Sequence, residues 1–432
     1  MVFSESFFKA GSRFRNPHLA KNLAFLKVSE SWSLDQLKAY QLERCQKLLR
    51  FSSAHSSFYE ERFDLSGFDV DRFTDLDQLK LLPPVLKSDL IAQNSVIHTT
   101  ERQPFNKLFI SETSGSTGEP LMFMKDEVWD SWNRAAIFRG YSWYGVTPWD
   151  RNGYFWGYNT DASKAWKTKL MDALQNRFRI FSYDRNELIR FVQQLERAKY
   201  LHGYSSMIYE VARIINEESL DASRLDLKLV KGTSEKIYDH YHHEVQKAFG
   251  QKMVSEYGAA ETGIIAFECP HGSMHLNLEG CIVEEEDGEI LVTNLNAYSF
   301  PVIRYRLGDA IVLEDESFEC ACGMKHQVLR EVTGRVGKRI FGKSETYPSL
   351  VVYYVFKNLY LDAGLTVNGQ FVQKKKGHLL VKVEQVLTNE IRTRINAELE
   401  SYFGADMVWD FEECAVIHTM ERKRKDFISE IE

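Results

Sequence analysis

A chain of 432 residues, 44% hydrophobic and 27% charged, is too long for one ordinary core and has the balance of a globular protein of two or more domains. A net charge of −7, with no basic run longer than Lys374-Lys375-Lys376 or Arg422-Lys423-Arg424-Lys425, argues against nucleic acid as a partner. The opening MVFSESFFKAGSRF lacks the apolar core of a signal peptide, and the longest apolar run, Leu350 to Phe356, is far short of a bilayer's width, so a cytoplasmic protein without a membrane span is expected.

In chain order, Ser33 with Gln36 three residues later forms a capping-box pattern, and Leu34, Leu37, Cys45, Leu48 and Leu49 then fall near one helical face. Leu81-Leu82-Pro83-Pro84 closes this leading region. Two strand-like runs, Leu108-Phe109-Ile110 and Leu121-Met122-Phe123-Met124, flank a Gly- and hydroxyl-rich turn. Helical patterns follow at roughly 126–145, 164–177, 186–199, 206–218 and 236–249, separated by short apolar runs at 153–157, 201–204 and 227–232. This alternation predicts an α/β fold. From 275 to 313 the pattern turns to strands, with Glu286-Asp287-Gly288-Glu289 a hairpin tip. After Thr333-Gly334-Arg335 the remainder reads as a small α+β unit. The expected division is a large domain over 1–335, sheets with packed helices plus a β-rich subdomain, and a small mobile domain over 336–432.

The turn Thr113-Ser114-Gly115-Ser116-Thr117-Gly118-Glu119-Pro120 concentrates the donors that a phosphate needs. Glycines let backbone N–H groups approach an anion, and hydroxyls add donors and reach a metal. The Gly-Lys-Ser/Thr ending of the nucleoside-triphosphatase loop and its following helix are missing, so a strand-loop-strand cradle is indicated instead. Further motifs follow in order: Gly232-Thr233-Ser234-Glu235, Tyr257-Gly258-Ala259-Ala260-Glu261-Thr262-Gly263, Arg304-Tyr305-Arg306-Leu307-Gly308-Asp309, Thr333-Gly334-Arg335, and a basic tail around Lys423.

Together these motifs resemble the adenylate-forming superfamily of acyl-CoA synthetases and peptide-synthetase adenylation domains. Within it the chain looks most like the phenylacetate-CoA ligase family, especially the relatives associated with capsular polysaccharide synthesis. The resemblance extends to Tyr40–Arg50 and to Leu82-Pro83-Pro84-Val85-Leu86-Lys87. It implies ATP and Mg²⁺ as cofactors and a reaction in which a carboxylate attacks the α-phosphate. Ser114, Gly115, Ser116, Thr117 and Gly118 would hold pyrophosphate; Leu121 stands where relatives often carry a lysine. Glu261 would help bind magnesium, Tyr257 and Gly258 would lie against the adenine, and Gly232, Thr233, Ser234 and Glu235 would flank it. Asp309 would accept hydrogen bonds from both ribose hydroxyls, which an ionised carboxylate does in bidentate fashion, and Arg335 would touch the ribose. The hinge falls at Gly337 or Lys338, and Gly342 would belong to the small-domain loop of the second half-reaction. Lys423, with Lys425 as the alternative, would be the catalytic lysine of adenylation; Arg422 stands where relatives carry a glycine.

Six cysteines in so long a chain make no disulfide framework. Cys320-Ala321-Cys322, together with Cys269 and one histidine of Cys269-Pro270-His271-Gly272-Ser273-Met274-His275, supply the four soft ligands of a closed zinc site. The expected set is Cys269, His275, Cys320 and Cys322, with His271 as the competing nitrogen. Similar clusters in phenylacetate-CoA ligase relatives are structural. Cys45, Cys281 and Cys414 read as packing residues.

The resemblance places the acyl pocket between 153–158, Gly203-Tyr204-Ser205-Ser206 and the Glu261 motif. Arg151, Lys164, Lys167 and Lys169 crowd it beside Tyr154, Trp156 and Tyr158, a mixture suited to a polar or anionic acid such as a sugar-linked one. Two function classes follow: an AMP-forming ligase passing an acyl group to CoA or to an amine, and a non-catalytic ATP-binding or scaffold protein that keeps the fold.

Overall fold

The computed structural model describes residues 2–113, 121–155, 162–180, 185–220, 222, 224–335, 339–363, 365, 367–384, 386–415, 417 and 427–431. The capping box at Ser33 forms: the Gln36 N–H donates to Ser33 Oγ at 3.2 Å and the Ser33 N–H to Gln36 Oε1 at 2.9 Å. It opens the helix Leu34–His55, which buries Leu37, Cys45, Leu48 and Leu49 as its periodicity requires. Helices Val2–Arg15, Leu19–Ser29 and Ser57–Ser66 also belong to this leading region. Strands β1 (Leu108–Glu112) and β2 (Met122–Asp126) form an antiparallel hairpin. Asp126 then caps the helix Glu127–Trp143, its Oδ1 accepting the N–H groups of Val128 and Trp129 at 3.0 and 2.9 Å.

One eleven-stranded sheet forms the centre. Its strands are β3 (Asn152–Phe155), β4 (Arg177–Arg179), β5 (Tyr200–Tyr204), β6 (Leu229–Thr233), β7 (Val254–Ala259), β8 (Gly263–Glu268), β9 (Met274–Leu276), β10 (Cys281–Glu286), β11 (Glu289–Asn294), β12 (Tyr305–Leu313) and β13 (Val328–Arg335). Their order is β10-β11-β12-β13-β9-β8-β7-β6-β5-β3-β4. Pairs from β4 to β7 are parallel and all pairs beyond β7 are antiparallel. The strand-rich stretch from 275 to 313 is therefore continuous with the parallel half. At its hairpin tip Glu286 pairs with Glu289 while Asp287 and Gly288 take φ of 56° and 76°, the left-handed pair of a two-residue loop.

Side chains alternate across a strand, so each half of the sheet has two different faces. On one face of the parallel half, Phe155, Phe178, Leu201 and Val230 pack against Leu188, Ile208 and Val245 from the helices Arg185–Leu195, Ser205–Glu217 and Asp239–Phe249. Each such burial contributes roughly 1.5–3 kcal/mol. The other face is polar: Asn152, Tyr154, His202, Lys231 and Glu256 look toward the helix Glu127–Trp143, where Tyr141 Oη meets His202 Nδ1 at 3.2 Å and Lys231 Nζ lies 5.5 Å from the Tyr141 ring centre. The antiparallel half packs on the leading helices through Leu48, Tyr59, Ile290 and Val302.

Beyond the sheet, β14 (Arg339–Phe341) pairs with β15 (Thr346–Pro348). A four-stranded sheet ordered β18-β17-β16-β19 is built from β16 (Gly369–Lys375), β17 (His378–Val383), β18 (Val408–Glu413) and β19 (Phe427–Ser429). With helices Leu350–Ala363 and Asn389–Phe403 it encloses its own core of Ile340, Val355, Phe371, Leu399 and Phe403. Asn368 touches the large unit, its Nδ2 donating to Tyr209 Oη at 3.4 Å.

Candidate active site and metal centre

The chain's switch from parallel to antiparallel pairing at β7 and β8 concentrates the motif residues. Gly258 lies where a Cβ would fall 2.3 Å from the Gly263 carbonyl oxygen, so only glycine allows this close approach of the two strands. The turn presents Glu261, which is 5% exposed and accepts a hydrogen bond from Tyr305 Oη at 3.0 Å. No cation among the described residues stands within ion-pair distance of this carboxylate. Tyr257 Oη donates to Asp309 Oδ2 at 2.8 Å, and Asp309 pairs in register with Arg335 across β12 and β13. Tyr305 and Asp309 are four residues apart on one buried face of β12. At about 3.3 Å per residue their Cα atoms are about 13 Å apart, on the scale of an extended nucleotide.

Gly232, Thr233, Ser234 and Glu235 leave the end of β6 beside this turn. A Cβ on Gly232 would fall 2.6 Å from both Met253 Sδ and Ser205 Oγ, so internal packing is what demands glycine there. Ser234 takes φ of 67°, a strained conformation for a residue with a side chain. Glu235 holds the start of the preceding helix, Ser205–Glu217: its Oε2 accepts the Ser206 N–H at 3.0 Å and its carbonyl accepts Ser205 Oγ at 3.2 Å. Thus Tyr257, Gly258, Glu261, Asp309 and the backbone of Arg335 come together, with the 232–235 loop alongside. Ser114, Gly115, Ser116, Thr117 and Gly118, the hinge candidates Gly337 and Lys338, and Lys423 with Lys425 lie outside the described residues; next to the first of these, the Thr113 N–H donates to the Leu121 carbonyl at 2.9 Å.

Some features escaped the sequence. Tyr305 as the partner of Glu261 sits 44 residues away on another strand. The loop after Gly342 is pinned by Asp406, whose carboxylate accepts from Ser344 Oγ at 2.6 Å, from the Ser344 and Glu345 N–H groups at 2.8 and 3.1 Å, and from Tyr347 Oη at 3.0 Å. Among the basic residues assigned to the acyl pocket, Arg151 packs over the Phe178 ring at 4.9 Å and Lys169 is exposed; Trp156, Tyr158 and the side chains of Lys164 and Lys167 fall outside the described set.

The second cluster assembles from two separate loops. Ligand atoms of Cys269, His275, Cys320 and Cys322 all lie within 4.8 Å of one another. Cys269 Sγ is 3.7 Å from Cys320 Sγ, and Cys322 Sγ is 3.1 Å from His275 Nε2. His275 Nδ1 faces the His326 carbonyl at 3.1 Å, which fixes the tautomer with its lone pair on Nε2. Burial lowers the His275 pKa to about 4, so the imidazole is neutral and able to ligate. His271 is exposed and outside the cluster. Behind it, His326 Nε2 and Arg139 Nη1 meet the buried Glu279 at 3.0 and 2.7 Å, tying the loop to the helix Glu127–Trp143. Three thiols and one imidazole at this spacing fit a structural tetrahedral zinc ion.

No family model matches the chain. It is similar to protein CapK of Staphylococcus aureus, 21% identical over 406 residues that span 86% of this chain and 84% of CapK. It is also similar to phenylacetate-coenzyme A ligase of Escherichia coli (strain K12), 22% identical over 306 residues, 65% of this chain and 68% of the ligase. In fold it matches 2-hydroxyisobutyryl-CoA ligase in the postadenylation state with R3-HIB-AMP, with a TM-score of 0.72 at 17% identity over 93% of this chain and 91% of that one. Against the same ligase in its thioesterification state the TM-score falls to 0.61. The chain is thus similar to CapK and to phenylacetate-coenzyme A ligase in sequence, and shares the fold of 2-hydroxyisobutyryl-CoA ligase.

Proposed function

We propose that this chain is an AMP-forming carboxylate ligase, which joins a carboxylic acid to the α-phosphate of ATP and passes the acyl group on to CoA or to an amine. The observation that carries this reading is the convergence of Tyr257, Asp309 and the Glu261–Tyr305 pair along one face of β12. Asp309 accepts from the ribose hydroxyls, and Tyr257 both orients that carboxylate and offers a ring beside the adenine. Glu261 would hold Mg²⁺, which would supply charge neutralisation at the phosphates; a single carboxylate suffices for such a site. Ser114 to Gly118 cradle pyrophosphate, Lys423 meets the developing charge on the α-phosphate, and Arg335 holds the ribose.

The unit from 336 to 432 moves as a body about Gly337 or Lys338 between the two half-reactions. Cys269, His275, Cys320 and Cys322 would hold zinc, which would tie the two loops together as a structural ion. A sugar-linked acid and a role in polysaccharide synthesis are the substrate class and setting that the resemblance of the sequence motifs implies. ATP-pyrophosphate exchange across a panel of carboxylic acids tests the reading: exchange should require both Mg²⁺ and an acid. A folded protein that neither binds ATP in calorimetry nor exchanges with any acid would rule it out.

A further inference from the structure

Between the helix Glu127–Trp143 and the polar face of the parallel half, the charges do not balance. Asp172 is gripped by Arg179 at 2.8 and 2.9 Å and approached by Arg177 at 3.9 Å. Asp130 is shared in the same way, by Arg15 at 3.4 Å and Arg134 at 3.5 Å. In both places one carboxylate serves two guanidiniums. Lys231 and Glu256, buried and 2.7 Å apart, cancel each other. The ammonium of Lys125 has the rings of Phe123 and Trp129 at 5.6 and 5.3 Å, and no carboxylate among the described residues within ion-pair distance.

Several of these cations are neighbours. Arg134 and Tyr141 are two turns apart on the same helix face, and Tyr141 reaches His202 on the sheet at 3.2 Å. Tyr154 stacks on His202 at 4.5 Å and carries Arg177 and Arg179 over its ring at 4.4 and 4.6 Å. Arg134 lies within electrostatic range of Arg177, and Lys125 within range of both Arg134 and Glu261. The Arg134 side chain is 39% exposed, yet surrounding protein desolvates it enough to lower its pKa. At that exposure the guanidinium is within reach of a solute. The cations thus run from Glu261 past Lys125 and Arg134 to Arg177.

Surplus positive charge raises the local concentration of anions, and the guanidinium fork matches the two oxygens of a carboxylate or phosphate. We infer that the acid activated by this chain carries a second oxyanion group, which docks on Arg134 and Arg177 while the reacting carboxylate lies toward Glu261 and Lys125. This rests on the ligase reading above and narrows its substrate class; Arg134 and Arg177 are specificity-determining residues.

The test uses the full-length protein in the exchange assay with dicarboxylic acids of four to eight carbons, each paired with its half-amide, and the matching phosphono-acids. At least one dianionic acid should exceed its half-amide in kcat/KM by about tenfold or more, since a site built for a polar group rejects the analogue lacking it. Comparing the dicarboxylic and phosphono arms tells which oxyanion is preferred. Arg134→Gln and Arg177→Gln should bring the preference close to unity through KM while ATP affinity and melting temperature stay near those of the parent, and Arg134→Lys should retain part of it. Half-amides that serve as well as the dianions, or a preference that survives both Gln variants, would overturn the inference and leave the ligase reading standing. Absence of exchange with every acid together with absence of ATP binding would remove both.

Discussion

Tyr257 holds Asp309 at 2.8 Å, so the carboxylate proposed for the ribose is oriented by a neutral donor before a nucleotide arrives. Hydrogen bonds to a charged group contribute roughly 1.5–3 kcal/mol. Asp309→Ala should therefore weaken ATP binding by about ten- to a hundredfold in calorimetry, while Tyr257→Phe should weaken it by only about fivefold, near 1 kcal/mol. Glu261→Gln should leave the fold intact and suppress turnover. At this scale the candidate site was readable where chemistry dictates the residue type: an acid for ribose hydroxyls, an acid for a metal. It was not readable where a contact spans distant strands, as for Tyr305 and Glu261, or where packing sets the residue, as for Gly232 between Met253 and Ser205. Glu235 shows the same limit, since its bond to the Ser206 N–H depends on how the end of β6 meets the preceding helix Ser205–Glu217.

Among the elements, the metal loops and the Gly342 loop each hang on few contacts. Elemental analysis of protein purified without added metal should find about one zinc per chain. Cys320→Ser should lower both the metal content and the melting temperature, whereas His271→Ala, at an exposed position outside the cluster, should change neither. Cysteine spacing pointed to this centre, but His275 and His271 are separable only once β9 directs His275 inward. In the Gly342 loop, hydrogen bonds from Ser344, then from the Glu345 backbone and Tyr347, hold the Asp406 carboxyl at about 2, below its ordinary 3.8. A depressed folded pKa gives stabilisation that is present above about pH 4 and lost as the pH falls through about 2. Hydrogen exchange should show the Ser344 and Glu345 amides protected at pH 5 and unprotected near pH 2, and unprotected at both in Asp406→Ala. Helix assignments from 126 to 249 follow periodicity closely because helices such as Arg185–Leu195 have one buried face, whereas β5 and β6 are buried on both faces and read as short apolar runs. Continuity of the eleven strands has no local signature; it follows from long-range pairing of β8 with β9 and of β9 with β13.

For the whole molecule, the proposal requires the unit with its own core around Phe371 and Leu399 to present different residues to the nucleotide in turn. Lys423→Ala should slow adenylate formation by about a hundred- to a thousandfold, roughly 3–4 kcal/mol for one lost electrostatic contact, yet leave transfer from a pre-made acyl-adenylate largely intact. Equal loss in both steps, or the same split from Lys425→Ala alone, would reassign the lysine. The central claim is that a carboxylate oxygen attacks the α-phosphate. With an acid that supports exchange, its carboxylate labelled with ¹⁸O, and an acceptor present, mass spectrometry of the nucleotide product should find AMP carrying one labelled oxygen. Unlabelled AMP, or ADP in its place, would contradict the account.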